Sequence, residues 1–259
     1  MSQAERILAW AAVAHLLVAM LALVWLCFPA TAILGVHPAS KPLKFGLSIG
    51  LFLGSLAYLL PLLTVSPALR RGFAWTLVIC MIAEMLPIAV QALRGTTSHF
   101  NTRTVASGAW WNLMFVAIVV TTIAMLAIAW LATVRPLQLP NGQALNALTT
   151  AAWRAALWIF LLAAYSGFAM GGRMQHSVGG ADGGAGLPVV NWSTQHGDLR
   201  VAHFFALHAL QTLPVAAWVL HRIGGAAWLR WGALAMVVVL HMAVTLWTLA
   251  RALAGRPSW

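Results

Sequence analysis

The side chains best able to do chemistry here are nine histidines and four acids, and they cluster. The densest block is His196-Gly-Asp198-Leu-Arg200-Val-Ala-His203-Phe-Phe-Ala-Leu-His208-Ala-Leu-Gln211. Imidazole is the usual protein ligand for haem iron, copper, iron and zinc, and carboxylates relay protons or complete a metal shell. In a helix beginning just after Asp198, that acid reads as the N-cap. His203 and His208 then lie about 7 Å apart along the axis and roughly 140° apart around it. They form no i, i+4 clamp, so each needs partners from other elements. The spacing matches no His-Glu-x-x-His zinc motif.

A second constellation is Glu84, Gln91 and Arg94, which share one helical stripe leading toward Arg94-Gly-Thr-Thr-Ser-His99-Phe-Asn101, with Pro87 between them. An acid deep in an apolar helix is costly unless paired and marks a functional site, while the competing reading is a hydrogen-bonded brace between helices. His15, His208 and His241 fall at comparable depth in three apolar runs, which makes them potential neighbours. His37, Lys41, Lys44, Arg103 and His176 add polar groups beside the other candidates.

The elements that must position these groups are membrane helices. Only 15 Lys+Arg and 4 Asp+Glu occur in 259 residues, far below the roughly one quarter of an ordinary soluble domain. The 62% hydrophobic residues fall in blocks of about 20, the length that spans a bilayer as a helix, and not in strand-like alternation. The expected fold is therefore an all-α, polytopic integral membrane bundle of seven helices. They are placed at Ile7–Phe28, Leu43–Thr64, Phe73–Leu93, Val105–Val134, Ala151–Gly171, Leu199–Leu220 and Trp228–Ala252. The whole chain, 1–259, reads as one transmembrane domain, with a Gly-rich loop over 171–198 that is either a lid or a connector. The first apolar run is too long for a signal-peptide core and is read as a span.

Two cysteines inside apolar runs exclude a disulfide framework, a Cys-rich zinc site and a c-type haem attachment. The net charge of +11 comes from arginines scattered singly at helix ends, which suits headgroups and excludes nucleic acid as the expected partner. Loop charges are nearly balanced. The arginines with no histidine or acid beside them point to a cytoplasmic N-terminus, and the expected location is a bacterial inner membrane. No lysine in the last helix is available for a retinal Schiff base, and no internal repeat supports an inverted-repeat transporter.

The leading expectation is a redox protein holding haem b or a transition metal ion (iron, copper or zinc) in a site open to the non-cytoplasmic side. A buried haem would pair His208 with His15 or His241, with Lys41, Lys44, Arg94 and Arg200 as propionate partners. A non-haem ion would instead take His99, His196, His203 and His208. Glu84, Arg94 and Asp198 are the candidate catalytic residues, and the expected partners are the lipid bilayer and a quinone or another small amphiphile. Two alternatives stay open. One is a zinc-dependent hydrolase of a lipid or amphiphile using Asp198 and Ser98, although the chain lacks a His-x-x-x-His pair. The other is an anion or proton-coupled channel or transporter, with Lys41, Lys44, Arg94, Arg103 and Arg200 as a funnel and Glu84 as the coupling group.

Overall fold

The computed structural model describes residues 2–258. It is all-α, with seven helices long and apolar enough to cross a membrane, and the chain is an integral membrane protein. The helices are α1 (Gln3–Trp25), α2 (Ser40–Leu59), α3 (Pro67–Leu93), α4 (Val105–Val134), α5 (Ala147–Arg173), α6 (Leu199–Ile223) and α7 (Ala227–Leu253). The described strands, β1 (Ser177–Val178) and β2 (Gly197–Asp198), pair antiparallel and close the Gly-rich segment at its base.

Polar caps set several boundaries that hydropathy alone misplaces. In α1, Ser2 Oγ accepts from the Glu5 N–H while the Glu5 carboxylate accepts from the Ser2 N–H, a capping box that starts the helix before the apolar run. Ser66 caps α3 ahead of Pro67, and Asn146 caps α5 through the Thr149 N–H. At its far end, α5 stops on Met174, held in the left-handed region at φ 53°.

The helices gather into two compact units. Among the described residues, the first comprises 2–61, 65–124 and 182–184, and the second comprises 62–64, 125–181 and 185–258. In the first, α1 turns a buried stripe of Ala4, Leu8, Ala12, His15, Ala19 and Ala22 inward. Gly46 of α2 meets that stripe so closely that a Cβ there would stand 2.8 Å from the His15 carbonyl oxygen and 2.9 Å from the Ala19 Cβ. Lipid tails are as apolar as leucine, so helices in a bilayer associate through such small-residue approaches.

In the second unit, α6 packs against both α5 and α7. Alanines again form the seams: Ala152, Ala156 and Ala163 are buried on α5, and Ala202, Ala206, Ala209 and Ala217 on α6. Within the Gly-rich segment, a bridge pairs Gly186 with Ser193, and the Leu187 N–H donates to the Trp192 carbonyl. The segment is thus a folded, internally bonded hairpin and not a loose connector.

Candidate functional site

In the first unit, the turn after α3 carries His99 back to Glu84. Gly95, at φ 67°, ends the helix, and the Thr96 N–H donates to the Gln91 carbonyl to close the last turn. Asn101 then stitches the loop, donating through Nδ2 to the Thr97 carbonyl at 2.8 Å and to Thr96 Oγ1 at 3.1 Å. The result holds His99 Nε2 3.9 Å from Glu84 Oε2, within ion-pair reach but beyond a direct hydrogen bond. Ser98 Oγ lies 3.2 Å from His99 Nδ1.

Glu84 is only 3% exposed, and its Oε1 has no hydrogen-bond partner among the described residues. The Lys41 ammonium is near enough to act electrostatically on Glu84 and stands 5.7 Å from the centre of the Phe45 ring. Around the imidazole lie Phe45, Trp111 and Phe100, with ring centres 5.6, 5.7 and 5.9 Å away. Glu84 is thus shielded from water while the His99 side chain stays 22% exposed, and the low polarity on the Glu84 side strengthens the pair's electrostatics. Phe100 sits at φ 58°, where a bulky side chain is strained, so the loop spends backbone energy to hold this arrangement.

The stripe on α3 is real for two of its three members. Gln91 is fully buried and donates through Nε2 to Ser107 Oγ at 3.1 Å, whereas Arg94 caps the helix in an exposed position and stands apart from the buried pair.

Asp198 is the hub of the second unit. As expected it caps α6, accepting from the Arg200 N–H at 3.0 Å. The same carboxylate accepts from the Ser193 N–H at 2.9 Å and takes the Arg200 guanidinium at 2.9 Å and 2.6 Å, with His176 Nδ1 3.7 Å away. Burial alone would raise its pKa. The Arg200 guanidinium, the Ser193 N–H and His176 outweigh burial and hold the carboxyl below the usual carboxylate range. With Arg200 also donating to the Asn191 carbonyl, both charges are engaged in fastening the hairpin to α6. This geometry gives the pair a structural role.

The histidines divide by what their nitrogens face. His203 Nδ1 faces the Ala163 carbonyl at 2.9 Å and Ser166 Oγ at 3.1 Å on α5, and His241 Nε2 donates to the Phe205 carbonyl at 2.8 Å on α6. His15 Nδ1 is 2.7 Å from the Ala11 carbonyl, and its Nε2 is 3.4 Å from the Met81 carbonyl. His208 Nδ1 faces Gln211 Oε1 at 3.1 Å, and its ring centre lies 4.3 Å from that of Phe204. His196 packs its ring on Gly180, and its N–H is held by Ser193 Oγ at 2.9 Å.

Among the described residues, no group of three or more His, Cys, Asp or Glu side chains converges to hold a metal ion. The expected set of His99, His196, His203 and His208 is therefore not gathered. His99 belongs to the first unit, and the other three point to different partners in the second. His15 likewise belongs to the first unit and His208 and His241 to the second, so only the last two share a unit. Sequence reading passed over Phe45 and Trp111. The spacing of Lys41 and Phe45, one helical turn apart, was the signal for the former. Compared with protein-family models, curated proteins and solved structures, the chain matches none.

Proposed function

We propose that this membrane protein works by protonation and deprotonation of the Glu84–His99 pair, as a proton-coupled channel or carrier for a small anion. The observation that carries the reading is the Glu84 carboxylate, buried at 3% exposure with Oε1 unpartnered and an imidazole 3.9 Å from its other oxygen. Buried acceptors are ordinarily paired, and an intramembrane acid without a donor is a group kept for proton exchange. Lys41 supplies positive charge beside the pair, and Lys44 follows within one turn on α2, so an anion is the ion this end attracts. The test is flux in liposomes with an internal pH dye and an imposed chloride, phosphate or acetate gradient. Wild type should acidify or alkalinise the lumen with the anion, and Glu84→Gln should abolish the proton component. Equal proton flux in both proteins refutes the reading.

A redox protein with haem b or a transition metal is the second reading, and the observation favouring it is His208. With Nδ1–H facing the Gln211 Oε1 acceptor, Nε2 is the lone-pair nitrogen, and His208 lies within electrostatic range of His203 and His241. An imidazole nitrogen of this kind is what an axial ligand requires, and a bound iron would supply one-electron chemistry. Oxidised and dithionite-reduced spectra of purified protein test it: His208→Ala should abolish a Soret band, and a wild type with neither chromophore nor stoichiometric metal refutes it.

A further inference from the structure

On the opposite end of the first unit from the Glu84–His99 pair, α1 and α3 run side by side and leave a groove of about 560 Å³ between them. Gln3 and Arg6 form its mouth, and Arg71 of α3 reaches Gln3 Oε1 at 3.4 Å, so two guanidinium groups flank one opening. Behind the mouth, Ala11 and Val78 make a floor, and Trp10 and Trp75, 72% and 51% exposed, make flanks. Ile82 closes the far end.

We propose that this groove binds one anionic phospholipid, with its phosphate between Arg6 and Arg71 and one acyl chain along Trp10, Trp75 and Ile82. Three features fix the occupant. Arg6, which lines the groove, and Arg71, which reaches Gln3 at its mouth, give this end positive charge. Tryptophans beside arginines at a helix end mark the headgroup level, where a phosphate resides. From Arg71 to Ile82 is eleven residues, about 16 Å at 1.5 Å each, which is about half of a ~30 Å hydrocarbon core and so the reach of one chain in one leaflet.

The full-length protein would be incorporated into nanodiscs of phosphatidylcholine containing phosphatidylglycerol, released into mild detergent, and weighed intact by native mass spectrometry. Wild type should retain one phosphatidylglycerol in preference to phosphatidylcholine. Retention should fall about fivefold for each of Arg6→Gln and Arg71→Gln. The Arg6→Lys, Arg71→Lys protein should keep it. Ala11→Trp, which fills the floor and leaves every charge in place, should lose the lipid as well, and so decides the matter should the glutamine variants fail to fold. Equal retention of the two lipids by wild type, or unchanged retention in Ala11→Trp, overturns the proposal. So does a dimer that Ala11→Trp dissociates, since the groove would then be filled by a second copy.

Discussion

Removing the Asp198 carboxylate should unfasten the Gly-rich hairpin while leaving the membrane helices in place. The carboxylate accepts from the Ser193 N–H, the Arg200 N–H and the Arg200 guanidinium, and is 1% exposed. Breaking a buried ion pair by deleting one partner costs about 3–5 kcal/mol, of which a lost N-cap accounts for about 1. The Arg200 side chain is 26% exposed, so water rescues part of the orphaned charge and the lower figure, about 3 kcal/mol, applies to Asp198→Ala. Asp198→Asn keeps an oxygen acceptor and loses only the charge, for about 1.5 kcal/mol.

The assay is amide hydrogen exchange by mass spectrometry on peptides spanning 176–200. At about 1.4 kcal/mol per tenfold, exchange at Ser193 should accelerate roughly a hundredfold in Asp198→Ala and about tenfold in Asp198→Asn. The acid dependence has a definite sign. Because the folded pKa lies below the unfolded value of about 3.9, the stabilisation is full above that value and disappears as pH falls through the lower, folded one. Wild-type protection at Ser193 should hold across pH 5–8 and fail only below about pH 4, and Asp198→Asn should show no such step. Wild-type exchange in Asp198→Ala would refute the latch.

Other consequences follow from single contacts. Gly46→Leu should part α1 from α2, because even a Cβ would press the His15 carbonyl at 2.8 Å, and should lower the unfolding free energy by about 1–3 kcal/mol, read as a lower denaturant midpoint; an unchanged midpoint contradicts that packing. Gly197→Ala should disrupt β2, since its Cβ would collide with the Ala252 carbonyl of α7, and protease sensitivity of the hairpin is the readout. Glu84→Gln should keep or slightly raise thermal stability, because the amide removes a buried ionisable group, while ending proton flux. A loss of stability together with function would make Glu84 a brace.

Much of the fold is legible in the sequence because the bilayer imposes one periodicity and one length. The limits of α4, Val105–Val134, coincide with those expected, since Thr104 accepts from the Ser107 N–H where the apolar run begins. The start of α1 lies four residues earlier than expected because a capping box stabilises a polar turn that hydropathy scores as loop. Asp198 is legible as a cap, and its pairing with Arg200 is not. Residues two apart do not meet on a helix, and these do so only because Asp198 is extended, at φ −133° and ψ 106°. The approach of His99 to Glu84 depends on a backbone reversal at Gly95 and a left-handed Phe100, and hydropathic periodicity carries no record of either.

The abundance of histidine has a structural source that does not require metal. A neutral imidazole is a donor on a mostly apolar ring, well suited to tying one membrane element to a carbonyl of another without carrying charge into lipid. His241 ties α7 to Phe205, and His37 donates to the Phe28 carbonyl while its Nδ1 accepts from the Ala39 N–H. His203 reaches Ala163 and Ser166 in the same way. Glu84 Oε1 makes no such tie among the described residues. A carboxylate offers only acceptors, and α3 has already spent its own N–H groups on its helix, so Glu84 gains nothing for stability from its depth. Glu84 Oε1 is left without a hydrogen-bond partner among the described residues, with Oε2 3.9 Å from a histidine that packs on aromatic rings, and that is why the proposed proton chemistry is assigned there.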